Sequence, residues 1–599
     1  MSDVRTEHLP PLPARLSGLA APTSGPSLPV PWSHKLSQPT VRFAISELRR
    51  AIACALLVCT VAGCEVDSGP EPVDYFVPDH VLEIEITLDP DDWDTLRGQT
   101  RSFVSEFGGE NCLDEPFGSP FTYFEGTVSV DGVELGRVGV RKKGFLGSLD
   151  RNRPSLKLKF DEFIEGQLLF GTERMTLNNA RQDPAYVNQC MGYGIFANAG
   201  VPTPRCNFAH VTVNGVDMGI YVHVEDVKKR FLRRHFEDDE GDLYEGTVSD
   251  FREGWVNTFE QKTNREVPSD RARLQAVIDA LAPGAPPEAL AGLIDVEEFT
   301  TFWATEHMIG HWDGYSGNTN NYFVYLDPTD DLFHFIPWGV DAVLDERTSI
   351  NGGTPPAIAV PVALGSAISL HLWALPDGRA RYEARLRELL DTVFDEDMLL
   401  AELDRMEALI RPYLLPRDMA RGFDEALAAR RAFILDRRAR LEEGLAAPVE
   451  VPAARAPFCL VQSGTITGTF ETTHGSLGVE NPFSHSATVE GMINDAPVAF
   501  TAVGAGAGFD SQDPSITTTV VFGQGSSPQL TLFALQIANE DFSPGMPPVV
   551  GGFALRLDPT MPGAEPELIG FLGDVRVTLE QAGTGSGDVI VGSFSADVY

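Results

Sequence analysis

Past Phe458 this chain changes character, and no single core can serve both sides of the change. Residues 459–599 contain no Lys and are dominated by Gly, Thr, Ser and Val. Short alternating runs recur there between turns, among them Leu530 to Leu535, Gly552 to Leu557 and Val575 to Leu579. Period-two alternation is the pattern of half-buried strands, so this stretch reads as an all-β, sandwich-like module. The preceding run from about Ala380 to Leu445 is helical, with apolar residues three and four apart and many Arg and Glu pairs. Residues 447–458 are rich in Pro and Ala and read as a linker. A length of 599 residues implies two or three domains.

The chain carries 46 Lys and Arg against 86 Asp and Glu, a net charge of −40. Such a surface repels phosphate backbones, which argues against nucleic acid as a partner. It also makes any convergence of Lys residues informative.

Residues 1–64 read as an N-terminal extension and an export signal. Arg49 and Arg50 precede an apolar run from Ala51 to Cys59, which leads to Val61-Ala62-Gly63-Cys64. A basic start, a short apolar core and small residues before a Cys resemble a bacterial lipoprotein signal. The run is too short to span a bilayer, which needs about 20 residues. Cys64 is therefore the candidate lipidation site, and residues 65–79 a polar tether. The expectation is a protein held by a lipid anchor in the cell envelope, at the outer membrane or cell surface. Cys112, Cys190, Cys206 and Cys459 then remain, an even number that suits disulfides outside the cytoplasm. Their connectivity is open, with Cys190–Cys206 and Cys190–Cys112 as candidate pairs.

Residues 80–446 alternate between strand and helix signals. Val81 to Leu88 is a half-buried strand, broken by Asp89-Pro90, which caps a short helix. Phe124 to Val130 and Leu135 to Lys142 form strands turned at Asp131-Gly132. A basic glycine-containing turn, Arg141 to Ser148, then leads into Pro154 to Phe160, where Lys157 and Lys159 share one strand face. Lys143, Lys157 and Lys159 thus make a candidate anion site, or else a solvated sheet edge guarded by lysines. Asp183-Pro184 opens a helix that stops at Gly200, and a strand pair turned at Asn214-Gly215 ends in Glu225-Asp226-Val227.

The chemistry concentrates between residues 311 and 341. His311-Trp312-Asp313 is followed five residues later by Asn318, then by a hairpin from Asn320 to Val340 that ends in Asp341. The His-x-Asp-x-x-x-x-Asn spacing matches the catalytic loop of protein kinases, with Asp341 where a second metal-binding Asp follows. A carboxylate to orient a hydroxyl, and an Asn and an Asp to hold divalent ions on phosphates, are the parts phosphoryl transfer needs.

Together with Leu177-Asn178-Asn179, Asp183, Gly219 to Glu225, Trp312-Asp313, Asn320-Asn321-Tyr322, Pro337-Trp338 and the late Phe433 to Arg438 helix, these motifs resemble the CotH kinase family over roughly Val81 to Leu445. The resemblance implies an atypical protein-kinase-like α+β fold, ATP, and Mg²⁺ or Mn²⁺. It makes Asp313 the catalytic residue, with Asn318 and Asp341 as metal ligands; Asn320 or Asn321 is the alternative to Asn318. Lys143, Lys157 and Lys159 fall to the phosphates. Glu225 and Val227 sit where a hinge offers backbone groups to adenine, and Trp338 either stacks on the base or packs in the core.

Two departures stand out. Gly339 occupies a position where the family commonly has Asp, and Asn188-Gln189 stands where an acidic partner for the nucleotide-binding lysine is expected. The expected function is an exported kinase that phosphorylates Ser or Thr of envelope or secreted proteins. The alternative is a surface adhesin or scaffold that keeps the kinase shape without turnover.

Overall fold

The computed structural model describes residues 74–266, 269–346, 362–449, 451–452, 459–478, 483, 485–508, 517–523, 530–557 and 567–599. Residues 1–64 with Cys64, most of the 65–79 tether and most of the 447–458 linker lie outside them. None of the helices among the described residues is long and apolar enough to cross a membrane.

Strand β1 (Val81–Leu88) alternates as its sequence demands, burying Ile84, Ile86 and Leu88 and exposing Glu83, Glu85 and Thr87. Asp89 then accepts the Asp91 amide and Pro90 opens helix α1 (Pro90–Gly98), because a proline at the first helical position loses no hydrogen bond. A strap follows, containing the short helix α2 (Phe103–Phe107). Strands β2 (Phe124–Val130) and β3 (Val133–Lys143) turn at Asp131-Gly132, both at positive φ. Next come β4 (Ser155–Lys159), β5 (Arg174–Asn178), helix α3 (Asn188–Asn198), β6 (Cys206–Val213) and β7 (Val216–Val224). Asn214-Gly215 turns β6 into β7 at positive φ, as a tight hairpin requires.

These strands close into a barrel ordered β1-β2-β3-β4-β5-β7-β6, with β1 and β6 pairing parallel. Leu82, Ile84, Val128, Val140, Leu156 and Leu158 fill it. Because alternate residues point opposite ways, filling the barrel with Leu156 and Leu158 turns Lys157 and Lys159 outward.

A second sheet, ordered β11-β10-β8-β9, is built from β8 (Asp242–Gly246), β9 (Glu260–Gln261), β10 (Tyr322–Asp327) and β11 (Leu332–Pro337). Helices α4 (Val296–Met308), α5 (Tyr315–Asn318), α6 (Gly378–Thr392), α7 (Glu396–Ile410) and α8 (Phe423–Ala446) belong to this part, with several shorter ones. They share one large core with α3 and the sheet, through residues such as Tyr193, Phe302, Trp303, Phe335 and Ile434. Buried Arg437 of α8 donates to Met308 O at 2.9 Å and to Glu346 at 2.9 Å, pinning the end of α4.

The C-terminal module corrects the sandwich expectation. Strands β12 (Gly464–Thr473), β13 (His485–Ile493), β14 (Ala496–Ala507), β15 (Thr517–Gly523), β16 (Leu530–Ala538), β17 (Val549–Leu557), β18 (Glu567–Gln581) and β19 (Val589–Val598) form a closed barrel. It closes because β12 pairs with β19 along its whole length, from Gly464 opposite Val598 to Thr473 opposite Val589. Alternation marks one apolar face in sandwich and barrel alike, so the pattern cannot tell them apart.

Two disulfides are formed among the described residues. Cys190–Cys206, one of the two pairs left open, ties α3 to β6. Cys112 pairs instead with Cys459, across 347 residues, joining the strap to the lead-in of the C-terminal barrel.

Candidate active site

A cleft of about 600 Å³ opens between the first barrel and the second sheet, within the size range of ligand pockets. One wall is the outer face of β3, β4 and β5. Arg141 pairs across from Lys157, and Lys143 from Ser155, so Arg141, Lys143 and Lys157 all line the cleft. Lys142 points the other way and donates to Arg97 O at 2.8 Å. Lys159 lies two residues further along β4 and is held by Glu162 at 2.7 Å and Asp161 at 3.7 Å. It does not line the cleft, so the structure separates it from Lys143 and Lys157.

Lys143 donates to Asn178 Oδ1, and Asn178 Nδ2 donates to Gln189 Oε1 at 2.9 Å. Gln189 therefore serves as a neutral brace acting through Asn178. Burial and the neighbouring Lys157 pull the Lys143 pKa down to about 8. Lys157 has a true counter-ion: Asp226 accepts its ammonium at 3.0 Å and the Thr176 hydroxyl at 2.8 Å. Burial alone would raise the Asp226 pKa, but Lys157 outweighs it and holds the carboxyl well below the usual range. Its Oδ2 has no hydrogen-bond partner among the described residues.

Glu225 is corrected as a hinge candidate. Its amide is spent on Arg205 O at 2.9 Å, and its buried carboxylate is clamped by Arg205 at 2.8 Å and by Arg234. The neighbours Asp226, Val227 and Lys228, in the loop past the end of β7, face the cleft. Sequence reasoning missed Asp226, although it lay within the motif; it also missed the support of Lys262 by Glu260 at 2.9 Å and by Glu245.

The opposite wall carries the carboxylates. Glu306 of α4 accepts the amides of Tyr315 and Ser316, each at 2.8 Å, and so caps α5. Gly314 must be glycine there, since a Cβ would sit 2.2 Å from Glu306 Oε1. Burial lifts the Glu306 pKa to about 7. This cap fixes the loop from which Asp313 projects. Asn318 donates to Asp313 Oδ1 at 2.6 Å and Asn321 to Oδ2 at 2.8 Å, with Asn320 at 3.3 Å. Three amides thus fix the plane of one carboxylate.

The hairpin brings the second acid alongside. Tyr322 pairs with Pro337, and Trp338 N donates to Asn321 O at 3.0 Å. Asp341 follows, its carbonyl held by Asn188 Nδ2 at 2.8 Å, while Arg430 donates to Asn188 Oδ1 at 2.9 Å. Burial and the charge of Asp313 raise the Asp341 pKa to about 7. A neighbouring pair of half-buried carboxylates, with amide oxygens and two lysines nearby, suits a hard divalent cation bridging to phosphate. Trp338 both lines the cleft and packs on Phe323, ring centres 5.4 Å apart, and the Lys143 ammonium lies 5.8 Å from its ring. The structure thus brings Lys143, Lys157, Val227, Asp313, Asn318, Trp338 and Asp341 to one cleft.

A second hollow of about 610 Å³, bordered by Glu288, Asp295, Leu375 and Arg381, gathers no such set of opposed lysines and carboxylates.

Residues 140–429 match the family model described as CotH kinase protein. Inner spore coat protein H of Bacillus subtilis (strain 168) is 24% identical over an alignment of 271 residues that covers 42% of this chain and 72% of that protein. The crystal structure of a Helicobacter pylori proinflammatory kinase, CtkA, aligns with a TM-score of 0.25 and 10% identity, over 49% of this chain and 92% of that one. That alignment is too loose to carry an argument. The family match spans most of the cleft, from Lys143 through Asp341.

Proposed function

We propose that this protein is an ATP-dependent kinase that transfers the γ-phosphoryl group to Ser or Thr hydroxyls of envelope or secreted proteins. The observation that carries the reading is the facing of Lys143 and Lys157 against Asp313 and Asp341 across one cleft, in a chain whose net charge is −40. Lys143 and Lys157 hold the phosphates. Asp313, its plane set by three amides, orients the acceptor hydroxyl and takes its proton as the oxygen–phosphorus bond forms and ADP leaves. Asp341 and Asn318 are the residues that would hold Mg²⁺ or Mn²⁺, which when bound neutralises charge on the phosphates.

The test is transfer of label from γ-labelled ATP with Mn²⁺ to a generic protein acceptor and to the chain itself. Asp313→Ala should lower transfer by roughly 10²–10⁴-fold, the usual contribution of a positioned proton acceptor. Equal transfer by wild type and variant would remove Asp313 from catalysis. The non-catalytic scaffold reading is favoured by Gly339 and the neutral Gln189, and absence of transfer together with intact nucleotide binding would establish it.

The residues from Arg49 to Cys64 support a further proposal, that the protein is exported and acylated at Cys64 in the cell envelope. Cys64→Ser should block incorporation of a fatty-acid probe, because serine cannot form the thioether. An unlipidated mature chain beginning elsewhere would make it a soluble secreted protein.

A further inference from the structure

The strap between α1 and β2 and the C-terminal barrel both lie outside the family match at 140–429. They are nevertheless bound to each other at the mouth of the cleft. Arg101, Phe103, Phe107, Phe117, Ser119 and Phe121 of the strap all line it. Within the strap, Arg101 donates to Glu106 at 3.2 Å and to Gly118 O at 3.1 Å, and its guanidinium stacks on Phe121 and on Phe145 of the glycine-containing turn. Ser119 Oγ accepts from Arg141, one of the cleft-wall cations, at 2.5 Å. Phe107 and Phe117 pack edge-on against Phe145, with ring centres 6.3 and 6.0 Å away. The strap therefore sets two guanidinium groups and the turn that carries Lys143.

A strap of this length with one short helix has little means of holding its own shape, and the barrel supplies it. Cys112 is bonded to Cys459. Leu460 N donates to Phe107 O at 2.6 Å, and Gly109 N to Leu460 O at 2.9 Å, a short parallel bridge. Phe103 stacks on Phe571 of β18, ring centres 4.5 Å apart. Arg151, just after the turn, pairs with Glu540 at 3.0 Å and with Asp541 in the loop after β16, and Glu540 also pairs with Arg97 of α1 at 3.5 Å. The barrel thus holds both the strap and the segment that follows the turn.

We infer that the C-terminal barrel is a positioning module for the phosphate end of the cleft, acting through the strap and Arg101. The inference rests on the nucleotide-binding reading above. A strap cut loose from the barrel would leave Arg101 and Arg141 free to swing away, and the nucleotide would pay to reorder them.

The experiment uses the full chain with Cys112→Ser/Cys459→Ser, and separately Phe571→Ala, which keeps the test open if the first variant folds poorly. The KM for ATP and the Kd of a non-hydrolysable ATP analogue should both rise roughly tenfold, about one charged hydrogen bond. The kcat at saturating ATP should hold within about twofold, the signature of lost uniform binding. Arg101→Gln should give the same rise alone and add nothing in the disulfide-free background. Hydrogen exchange should quicken at residues 103–109 and at 143–148. Wild-type KM and Kd alongside faster strap exchange would overturn the inference, as would a loss of kcat alone, which marks a merely structural role. Should wild type bind no nucleotide, the kinase reading falls, and unchanged exchange at 143–148 after the disulfide is removed would overturn the positioning claim independently.

Discussion

Lys157 on β4 and Asp226, just past β7, are joined across the intervening strand β5, ammonium to carboxylate at 3.0 Å, while Thr176 of β5 donates to the same oxygen at 2.8 Å. The counter-ion of a cleft lysine thus comes from a strand end of the same barrel, and α3 contributes only the neutral Gln189. Three strands fix this pair, so it does not depend on a helix swinging into place. Asp226→Asn should therefore leave Lys157 facing Lys143 without a counter-charge. Stability should drop by about 3 kcal/mol, the lower end for breaking a buried pair, and the KM for ATP should rise. Urea unfolding and steady-state kinetics read both effects, and a variant with wild-type values in each would show that the pair is ornamental.

Asp341 sits next to Asp313 in the cleft wall, and burial with that neighbouring charge raises its pKa to about 7. Such an arrangement costs folding energy unless a cation offsets it. Asp341→Asn should weaken Mn²⁺-dependent binding of an ATP analogue by roughly tenfold to a hundredfold, while metal-free binding changes little and the unfolding midpoint does not fall. Calorimetry with and without Mn²⁺ checks this, and equal losses in the two conditions would take Asp341 out of the metal site.

Much of this was legible because local rules govern it. The β1 alternation, the Asp131-Gly132 and Asn214-Gly215 turns, the shared face of Lys157 and Lys159, and the hairpin linking the Asp313 loop to Asp341 all follow from period, φ preference and spacing. What stayed dark depends on partners far away in sequence. The motif alone does not separate Glu225, whose carboxylate is claimed by the distant Arg205 and Arg234, from Asp226, which lines the cleft. Lys159 lies on the correct face but beyond the edge of the cleft. Closure of β12 on β19, and the Cys112–Cys459 bond, link residues that no local pattern connects.

Gly339 leaves little room for a side chain beside Asn321. Its φ is +52°, and a Cβ there would lie 2.4 Å from Asn321 Oδ1. Asn321 is one of the amides that fix Asp313. Gly339→Asp, which supplies the acid that the sequence resemblance leads one to expect, should accordingly displace Asn321 and lower label transfer. It should also destabilise the fold by about 1–3 kcal/mol through the strained backbone. A gain of transfer in this variant would mean that the site lacks a carboxylate it can accommodate.

His334 on β11 offers a pH-dependent test far from the cleft chemistry. Its Nδ1 meets Glu298 of α4, and its Nε2 lies 3.0 Å from Asp330 Oδ2. Burial alone would lower its pKa, but the Glu298 hydrogen bond, with the charges of Glu298 and Asp330, outweighs that and raises it to about 9. The imidazolium is therefore favoured in the folded protein relative to the unfolded chain, where histidine titrates near 6.5. Its contribution is fully present below about 6.5 and is lost as pH climbs through about 9, a change of order 3 kcal/mol. Other groups titrate across the same window, so the quantity to follow is the stability difference between wild type and His334→Gln. Guanidinium unfolding at pH 6 should show a clear wild-type advantage that shrinks toward zero by pH 10. A difference that stays constant over this range would mean that His334 is neutral in the folded protein.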